Sequence, residues 1–155
     1  VEVRIDRISK EIKAVADTDE TARRLMTIPG IGPLGATAIL AAVGNPKRFE
    51  KARDVAAWLG LVPRQHSTEG KQTLLGISKR GNCYVRTLLI HGARSVVMHL
   101  DRRKDRLGAW VDALRARTHP NKAVVALAAK LARSVWVILT VPGATYERRP
   151  PKQAS

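Results

Sequence analysis

Residues 25–40 read LMTIPGIGPLGATAIL, and this stretch decides how the chain is expected to fold. Gly30 and Gly32 flank a single apolar residue, a spacing typical of a tight turn because glycine adopts backbone conformations that other residues avoid. Pro33 supplies the fixed backbone angle that suits the first turn of a helix. Small and apolar residues continue this helix until Gly44-Asn45-Pro46 ends it. The stretch therefore predicts two helices joined by a glycine turn.

Helical patterns continue on both sides of this turn. Apolar residues return every three or four positions with charged residues between them, which favours amphipathic helices. Residues 60–82 instead mix Gly, Ser, Thr, Gln and basic residues without a period, so they predict a long basic loop, with a short β-hairpin around Glu69-Gly70 left open. The predicted fold class is mainly α. The expected helices cover residues 1–16, 19–27, 33–43, about 49–59, 82–100, 107–117 and 122–139.

The chain is expected to comprise four segments. Residues 1–18 form the end of an amphipathic or coiled-coil helix, and residues 19–100 form a helical domain that contains the two-helix turn (25–43) and the basic loop (60–82). Residues 101–141 form a basic helical extension, and residues 142–155 form a disordered tail. Because a charged helical pattern is already under way at Val1, which is not a methionine, we expect the chain to be a fragment of a longer protein.

The charge of the chain points to a polyanionic partner. The formal net charge is +15, from 28 Lys and Arg against 13 Asp and Glu. Residues 1–59 hold 10 basic and 8 acidic side chains, whereas residues 60–155 hold 18 and 5. Such an excess is more than solubility requires, so nucleic acid is the expected partner.

The patterns of cysteine, histidine and apolar residues limit the kinds of site and the cellular compartment that we expect. Cys83 is the single cysteine, which excludes an internal disulfide, and the four histidines lack the spacing of a zinc site. The chain has no run of about 18 uninterrupted apolar residues, the length that a membrane span needs, and no signal-peptide pattern. We expect a cytoplasmic protein with no membrane partner.

The glycine turn resembles a helix-hairpin-helix DNA-binding motif over residues 25–40. A hairpin of this kind brings backbone N–H groups close to a phosphate, and the positive end of the following helix dipole strengthens the contact. Contacts to phosphate are independent of base sequence. The alternative interpretation is that Gly30 and Gly32 only permit a tight turn between packed helices, with Ala36, Ala38 and Ala41 allowing close approach.

Residues 60–82, GLVPRQHSTEGKQTLLGISKRGN, collect hydroxyls, glycines and cations around the single acid Glu69. A serine nucleophile for phosphoryl transfer needs an exposed hydroxyl with cations nearby, and Ser67 and Ser78 both meet that description. Alternatively, Ser78 or Asn82 caps the next helix and Ser67 forms a turn. A two-metal nuclease site needs clustered carboxylates, and with Glu69 alone we expect no metal in this part of the chain.

Three segments, IPGIGPLGATAIL, DVAAWLGLVPRQHSTEGKQ and GISKRGNCYVRTLLIHGAR, together resemble the carboxy-terminal domain of transposases of insertion-sequence family one-ten and its close sister group. The resemblance covers about residues 20–100. It implies a separate amino-terminal RuvC-like domain with four acidic residues that binds Mg²⁺, and a carboxy-terminal serine as nucleophile. The family's Pro-Arg-x-x-Ser pattern falls on Ser67, so Ser67 is the first candidate and Ser78 the alternative. Glu69 departs from the small residue that is common in the family.

The resemblance also implies partners. DNA is the expected substrate, a structured guide RNA is a further expected partner, and the full-length protein is expected to be a homo-oligomer in the bacterial cytoplasm, associated with the nucleoid. This chain alone is expected to bind but not to recombine DNA. The expected nucleic-acid contacts are Gly30, Gly32, Arg64, Lys71, Lys79, Arg80, Asn82 and Arg86. Two alternatives stay open: a non-enzymatic helix-hairpin-helix DNA-binding module, and a basic RNA-binding accessory domain of the translation apparatus.

Overall fold

The computed structural model describes residues 1–68, 71–77, 82–99 and 105–153. Within these ranges the predicted mainly α fold is confirmed. The elements, in chain order, are α1 (Glu2–Thr18), α2 (Glu20–Leu25), α3 (Pro33–Val43), a single 3-10 turn (Pro46–Arg48), α4 (Ala52–Trp58), β1 (Pro63–Thr68), β2 (Lys71–Ile77), α5 (Cys83–His99), α6 (Arg106–Arg117) and α7 (Pro120–Thr140).

Local signals set the helix ends. The Asp19 side chain accepts a hydrogen bond of 2.9 Å from the Ala22 N–H and so caps α2. Pro33 is the first residue of α3, and Gly44 ends that helix with a φ of 62°, a left-handed conformation that suits glycine. The predicted third helix therefore has the bounds that the sequence indicated.

The helix α7 forms the centre of the core. It packs against α2, α4, α5 and α6. By length and composition alone α7 could cross a membrane, but eight of its residues are buried against the other helices, and this packing accounts for its apolar content. One hydrophobic cluster extends from Ala16 to Ile138 and joins the predicted domain of residues 19–100 to the segment that follows it.

The helix α1 packs on α2 and α3 through its carboxy-terminal part, where Ala16 is fully buried. Val3, Ile5, Ile8 and Val15 are more than half exposed, and Ile12 is partly buried. Most of the apolar stripe of α1 is therefore left uncovered by the other described residues.

The prediction of a long basic loop is wrong over most of residues 60–82. β1 and β2 pair antiparallel, with Ser67 opposite Gln72 and Thr68 opposite Lys71, so the hairpin around residues 69–70 is longer than expected. Residues 69–70 themselves lie outside the described part of the chain. The strands are mostly polar, so they lack the alternation of apolar residues that identifies a strand, and the hydrogen bonds of the backbone ladder hold the pair.

Arg24 joins α2 to the end of α7. Its Nη1 donates to the carbonyl oxygens of Ile138 at 2.7 Å, Ala144 at 3.2 Å and Val141 at 3.4 Å. The last carbonyls of a helix have no partner within the helix, and they form the negative end of its dipole. The guanidinium therefore satisfies these groups and places a positive charge where α7 has no basic residue of its own in its last turn.

The segment expected to be a disordered tail instead forms contacts through residue 149. The Tyr146 N–H donates to Thr27 Oγ1 at 2.8 Å, and the Arg106 N–H donates to the Arg149 carbonyl at 2.8 Å. Residues 142–149 form neither helix nor strand, so no local pattern marks them as ordered. Their order comes from partners that are distant in the sequence.

The turn between α2 and α3 rests directly on α5. Gly30 has a φ of 86°, and Ile28 and Ile31 on either side of it are buried. A Cβ atom added to Gly92 of α5 would overlap the Gly30 carbonyl oxygen, and one added to Gly30 would lie 2.7 Å from the Gly92 carbonyl oxygen. Both positions therefore require glycine, because the two backbones touch.

We predict that Gly92→Ala lowers the free energy of unfolding by about 2 kcal/mol, within the range of about 1–3 kcal/mol for overpacked sites. Alanine normally stabilises a helix by roughly 0.5–1 kcal/mol relative to glycine, so the sign of the effect is informative. Urea unfolding followed by circular dichroism measures it.

Gly35→Ala on α3 is the matched control. Its added Cβ would lie 3.5 Å from the Ile31 side chain, an ordinary contact, so this variant should be as stable as the parent chain or more stable. Equal stability of the Gly92 and Gly35 variants would contradict the close contact between the turn and α5.

Candidate nucleic-acid interface

The two predicted glycines of the turn have different surroundings. Gly30 faces α5, whereas Gly32 is exposed and no atom lies within 4 Å of the position of an added Cβ. Gly32 is the N-cap of α3, and no side chain of the described residues caps this helix. The first N–H groups of α3 therefore lack a side-chain acceptor at the positive end of the helix dipole. This end of α3 can accept an anion such as a phosphate.

Ser67 lies on the hairpin that separates α4 from α5. It is in β1, opposite Gln72 of β2 and one residue before the pair of Thr68 with Lys71. Arg64 also lies in β1, where the strand register is irregular between Pro63 and Gln65. The structure thus brings Ser67, Arg64 and Lys71 onto one hairpin. Ser78, Lys79 and Arg80 lie outside the described residues.

The connection between α4 and the first strand of the hairpin has a defined conformation. Gly60 has a φ of 72°, and its N–H donates to the Ala57 carbonyl at 3.0 Å while the Leu61 N–H donates to the Ala56 carbonyl at 2.9 Å. These two hydrogen bonds form a Schellman motif, the common way in which a glycine ends a helix. Leu61 is buried, so the chain enters β1 from an anchored residue.

The second end of the hairpin is held by Asn82 and Arg86. The Asn82 side-chain oxygen accepts a hydrogen bond of 3.0 Å from the Val85 N–H at the start of α5. The Arg86 Nη1 donates to the Leu59 carbonyl at 3.4 Å, and its Nη2 lies 3.3 Å from Cys83 Sγ. The alternative interpretation of Asn82 as a helix cap therefore holds, and Arg86, an expected nucleic-acid contact, connects the two ends of the hairpin.

Arg48, a residue with no role predicted from the sequence, lies against two aromatic rings. Its guanidinium carbon lies 4.8 Å from the ring centroids of both Phe49 and Trp58, and the residue is exposed. An arginine stacked in this way keeps a defined position and can still meet a phosphate. In the sequence, this contact is indicated only by the succession of Lys47, Arg48 and Phe49. Trp58 becomes a neighbour of Arg48 only when the chain folds.

The carboxylates of the described ranges do not form a metal site. No group of three or more His, Cys, Asp and Glu residues within these ranges could hold a metal ion. The arrangement of these residues therefore does not fit a divalent metal of the kind used in phosphoryl transfer.

Comparison with known proteins places these features in a family of mobile-element proteins. Residues 22–107 match the sequence model of the family described as "Transposase IS116/IS110/IS902 family". The chain is 48% identical over 131 residues to the transposase for insertion sequence element IS1111A of Coxiella burnetii, covering 84% of this chain and 36% of that protein. It is 47% identical over 140 residues to a probable family 20 transposase of Pseudomonas aeruginosa, covering 90% and 41%.

A third relative, the transposase for insertion sequence element IS1328 of Yersinia enterocolitica, is 46% identical over 136 residues, covering 88% of this chain and 41% of that protein. The chain thus spans 36% to 41% of the length of these relatives.

We predict that Asn82→Ala lowers the free energy of unfolding by about 1 kcal/mol, the usual cost of losing a helix N-cap. Asn82→Asp should keep the stability of the parent chain, because a carboxylate accepts the same hydrogen bond from Val85. Chemical unfolding of the three proteins measures the difference. If the alanine and aspartate variants lose the same stability, Asn82 does not act as a cap.

Proposed function

The chain belongs to the IS116/IS110/IS902 transposase family, and from this we propose that it is the nucleic-acid-binding and serine-bearing portion of a DNA transposase. The observation that carries the proposal is the identity of 46% to 48% with transposases over most of the chain. The activity belongs to a longer protein, since the chain spans less than half of these relatives.

The proposed DNA contact is the turn at Gly32 together with the hairpin. Gly32 supports it because the α3 N-terminus is exposed and uncapped by side chains among the described residues. In this role the α2–α3 unit acts as a helix-hairpin-helix motif that grips phosphates without reading bases. The basic residues of the hairpin region, Arg64, Lys71, Lys79 and Arg80, would then follow the backbone of DNA or of a structured guide RNA.

The proposed nucleophile is Ser67, with Ser78 as the alternative. The Ser67 Oγ would attack a phosphorus of the DNA backbone and form an Oγ–P bond while the bond from phosphorus to a deoxyribose oxygen breaks. The serine hydroxyl releases its proton, and the departing deoxyribose oxygen takes one up. Neighbouring cations stabilise the charge that develops on the phosphoryl oxygens.

The regions of the longer protein that this chain does not span would supply the remaining requirements. These are Mg²⁺ held by a cluster of carboxylates, and assembly of several copies on the DNA. A transposase acts on chromosomal DNA, so we place the protein in the bacterial cytoplasm with the nucleoid. A non-enzymatic DNA-binding module is the alternative proposal, favoured by the structural use of Asn82 and Arg86 at the base of the hairpin.

We predict that Gly32→Asp weakens binding of this chain to duplex DNA about tenfold, since one charge-assisted contact is worth about 1.5–3 kcal/mol. The added carboxylate caps α3 and repels phosphate, so stability should stay equal or rise by a few tenths of a kcal/mol. Fluorescence anisotropy over a range of salt concentrations measures the affinity, and the log–log salt slope should fall by about 1 per lost phosphate contact.

Gly32→Ala is the matched control, because its added Cβ meets no atom within 4 Å and supplies neither a cap nor a charge. It should bind DNA within about twofold of the parent chain, a change of less than 0.5 kcal/mol. If the aspartate and alanine variants bind equally well, the α3 N-terminus does not contact the phosphates.

We predict that Ser67→Ala in the full-length transposase abolishes strand exchange, by roughly a thousandfold or more as expected for a lost nucleophile. DNA binding should stay unchanged, because the substitution removes only a hydroxyl. Ser95→Ala on the exposed side of α5 is the control and should recombine normally. Full activity of the Ser67 variant with loss in Ser78→Ala would transfer the role to Ser78, and full activity of both would favour the non-enzymatic module.

A further inference from the structure

We propose that the cleft between α6, α7 and the carboxy-terminal segment binds a phosphorylated nucleoside, either as a unit of a nucleic-acid strand or as a free nucleotide. The cleft has a volume of about 570 Å³. Its lining includes Arg106, Trp110, Lys130, Ser134, Tyr146 and Arg149. Nine of its twelve lining residues lie beyond residues 22–107, the range that matches the family's sequence model.

Lys130 is the cation that points to an anionic ligand. Its Nζ lies 4.8 Å from the centroid of the Trp110 ring, in a half-buried position. Within the described ranges the ion pairs are Arg7 with Glu11 and Arg24 with Glu20, so Lys130 has no carboxylate partner there. Burial and, second to it, the neighbouring charge of Arg133 lower the pKa of Lys130, because both disfavour its charged form. A bound phosphate would supply the missing negative charge.

The acidic side chains of the cleft do not supply the negative charge opposite Lys130. Asp105 is buried, and its Oδ1 accepts a hydrogen bond of 2.8 Å from the Leu107 N–H, so its charge is directed to the amino-terminal end of α6. Glu147 is exposed at the edge of the cleft. Burial, followed by the charge of Asp105, raises the pKa of Tyr146, so its hydroxyl stays protonated at neutral pH and can donate to a phosphate oxygen.

The size and the walls of the cleft suit more than an inorganic phosphate. A volume of this order is typical of small-molecule sites, in which mostly apolar walls surround a few polar groups. Here the apolar part of the lining is Leu107, Trp110, Val137 and Ile138, and the polar part includes the ammonium of Lys130 and the hydroxyls of Ser134 and Tyr146. A nucleotide matches this division if its base or sugar lies against the apolar wall and its phosphate lies at Lys130.

The wall made by the carboxy-terminal segment is held in place from two sides. The Tyr146 N–H is bonded to Thr27 near the end of α2, and the Arg149 carbonyl is bonded to the Arg106 N–H at the start of α6. The cleft is therefore formed before any ligand arrives, which lowers the cost of ordering on binding.

The first test is an NMR titration of the complete chain, observing the indole N–H of Trp110 and the ammonium of Lys130. Trp110→Phe identifies the indole signal among the three tryptophans. The probes are a deoxynucleoside 5′-monophosphate, a short single-stranded oligodeoxynucleotide, inorganic phosphate and an uncharged nucleoside. We expect the phosphorylated nucleosides to shift both signals and to raise the pKa of Lys130, because an anion favours the charged form.

The probes also identify the source of the ligand. Shifts with both the mononucleotide and the oligonucleotide support a site for any nucleotide, and shifts with the oligonucleotide alone support a strand-binding site. No shift with either of them overturns the proposal, as does an equal response to the nucleoside that lacks phosphate. Inorganic phosphate alone should bind more weakly, and a response to it that equals that of the nucleotide would refute the role of the apolar wall.

The second test compares two lysines on the same helix. Lys130→Gln should weaken binding of the responding probe about tenfold, as expected for one charge-assisted contact. Lys122→Gln removes an exposed charge that is not part of the cleft lining and should change binding less than twofold. Equal losses would mean that the probe responds to net charge, which contradicts a site at Lys130.

Failure of this proposal is distinguishable from failure of the proposed function. Gly32→Asp alters the α3 N-terminus and leaves the cleft residues unchanged, so it should not affect the Trp110 shifts. The titration of the parent chain does not depend on any variant, and it remains decisive if Lys130→Gln does not fold.

Discussion

The contact between the backbones of Gly30 and Gly92 is the constraint on which the arrangement of the candidate site depends. It places the α2–α3 turn directly on the middle of α5, with no side chain between them. The same helix begins at the base of the hairpin, where Asn82 caps it and Arg86 reaches the Leu59 carbonyl. One helix therefore fixes both the exposed end of α3 and the two ends of the strand pair that carries Ser67.

A second constraint joins the two ends of the chain. Arg24, near the start, donates to carbonyls at the end of α7, and α7 in turn packs against four other helices. Because one guanidinium serves several acceptors, the positions of α2, α7 and the segment after α7 depend on each other. The cleft beside Trp110 depends on these contacts, because the segment held near Arg24 forms one of its walls.

Much of the helical architecture could be predicted from the sequence because the signals are local. Pro33, Gly44 and Asp19 determine helix ends through contacts within a few residues, and α3 has the predicted bounds. The hairpin was expected only as a short possibility because its residues are mostly polar, and the contacts of the tail were missed because its partners, Arg24 and Thr27, are more than 100 residues away.

The candidate site could be predicted only in part. The sequence indicated Ser67, Gly30, Gly32 and the basic hairpin region as candidates, but it could not distinguish Gly30, which faces α5, from Gly32, which faces open space. It could not associate Trp110 with Lys130 either, because the two residues lie on different helices. The functional roles of Ser67, Ser78 and the basic residues of the hairpin region remain predictions.

The strand pair has a further consequence for how proteins of this kind can vary in length. Successive residues of a strand face opposite sides of a two-stranded ribbon, and both ends of this ribbon are anchored. Inserting one residue between Leu61 and Ser67 would turn the serine to the other side, whereas inserting two would restore its side and move it outward. Length changes in even steps therefore preserve the face of the ribbon on which each strand position lies, whereas an odd step needs a compensating bulge such as the irregularity already present between Pro63 and Gln65.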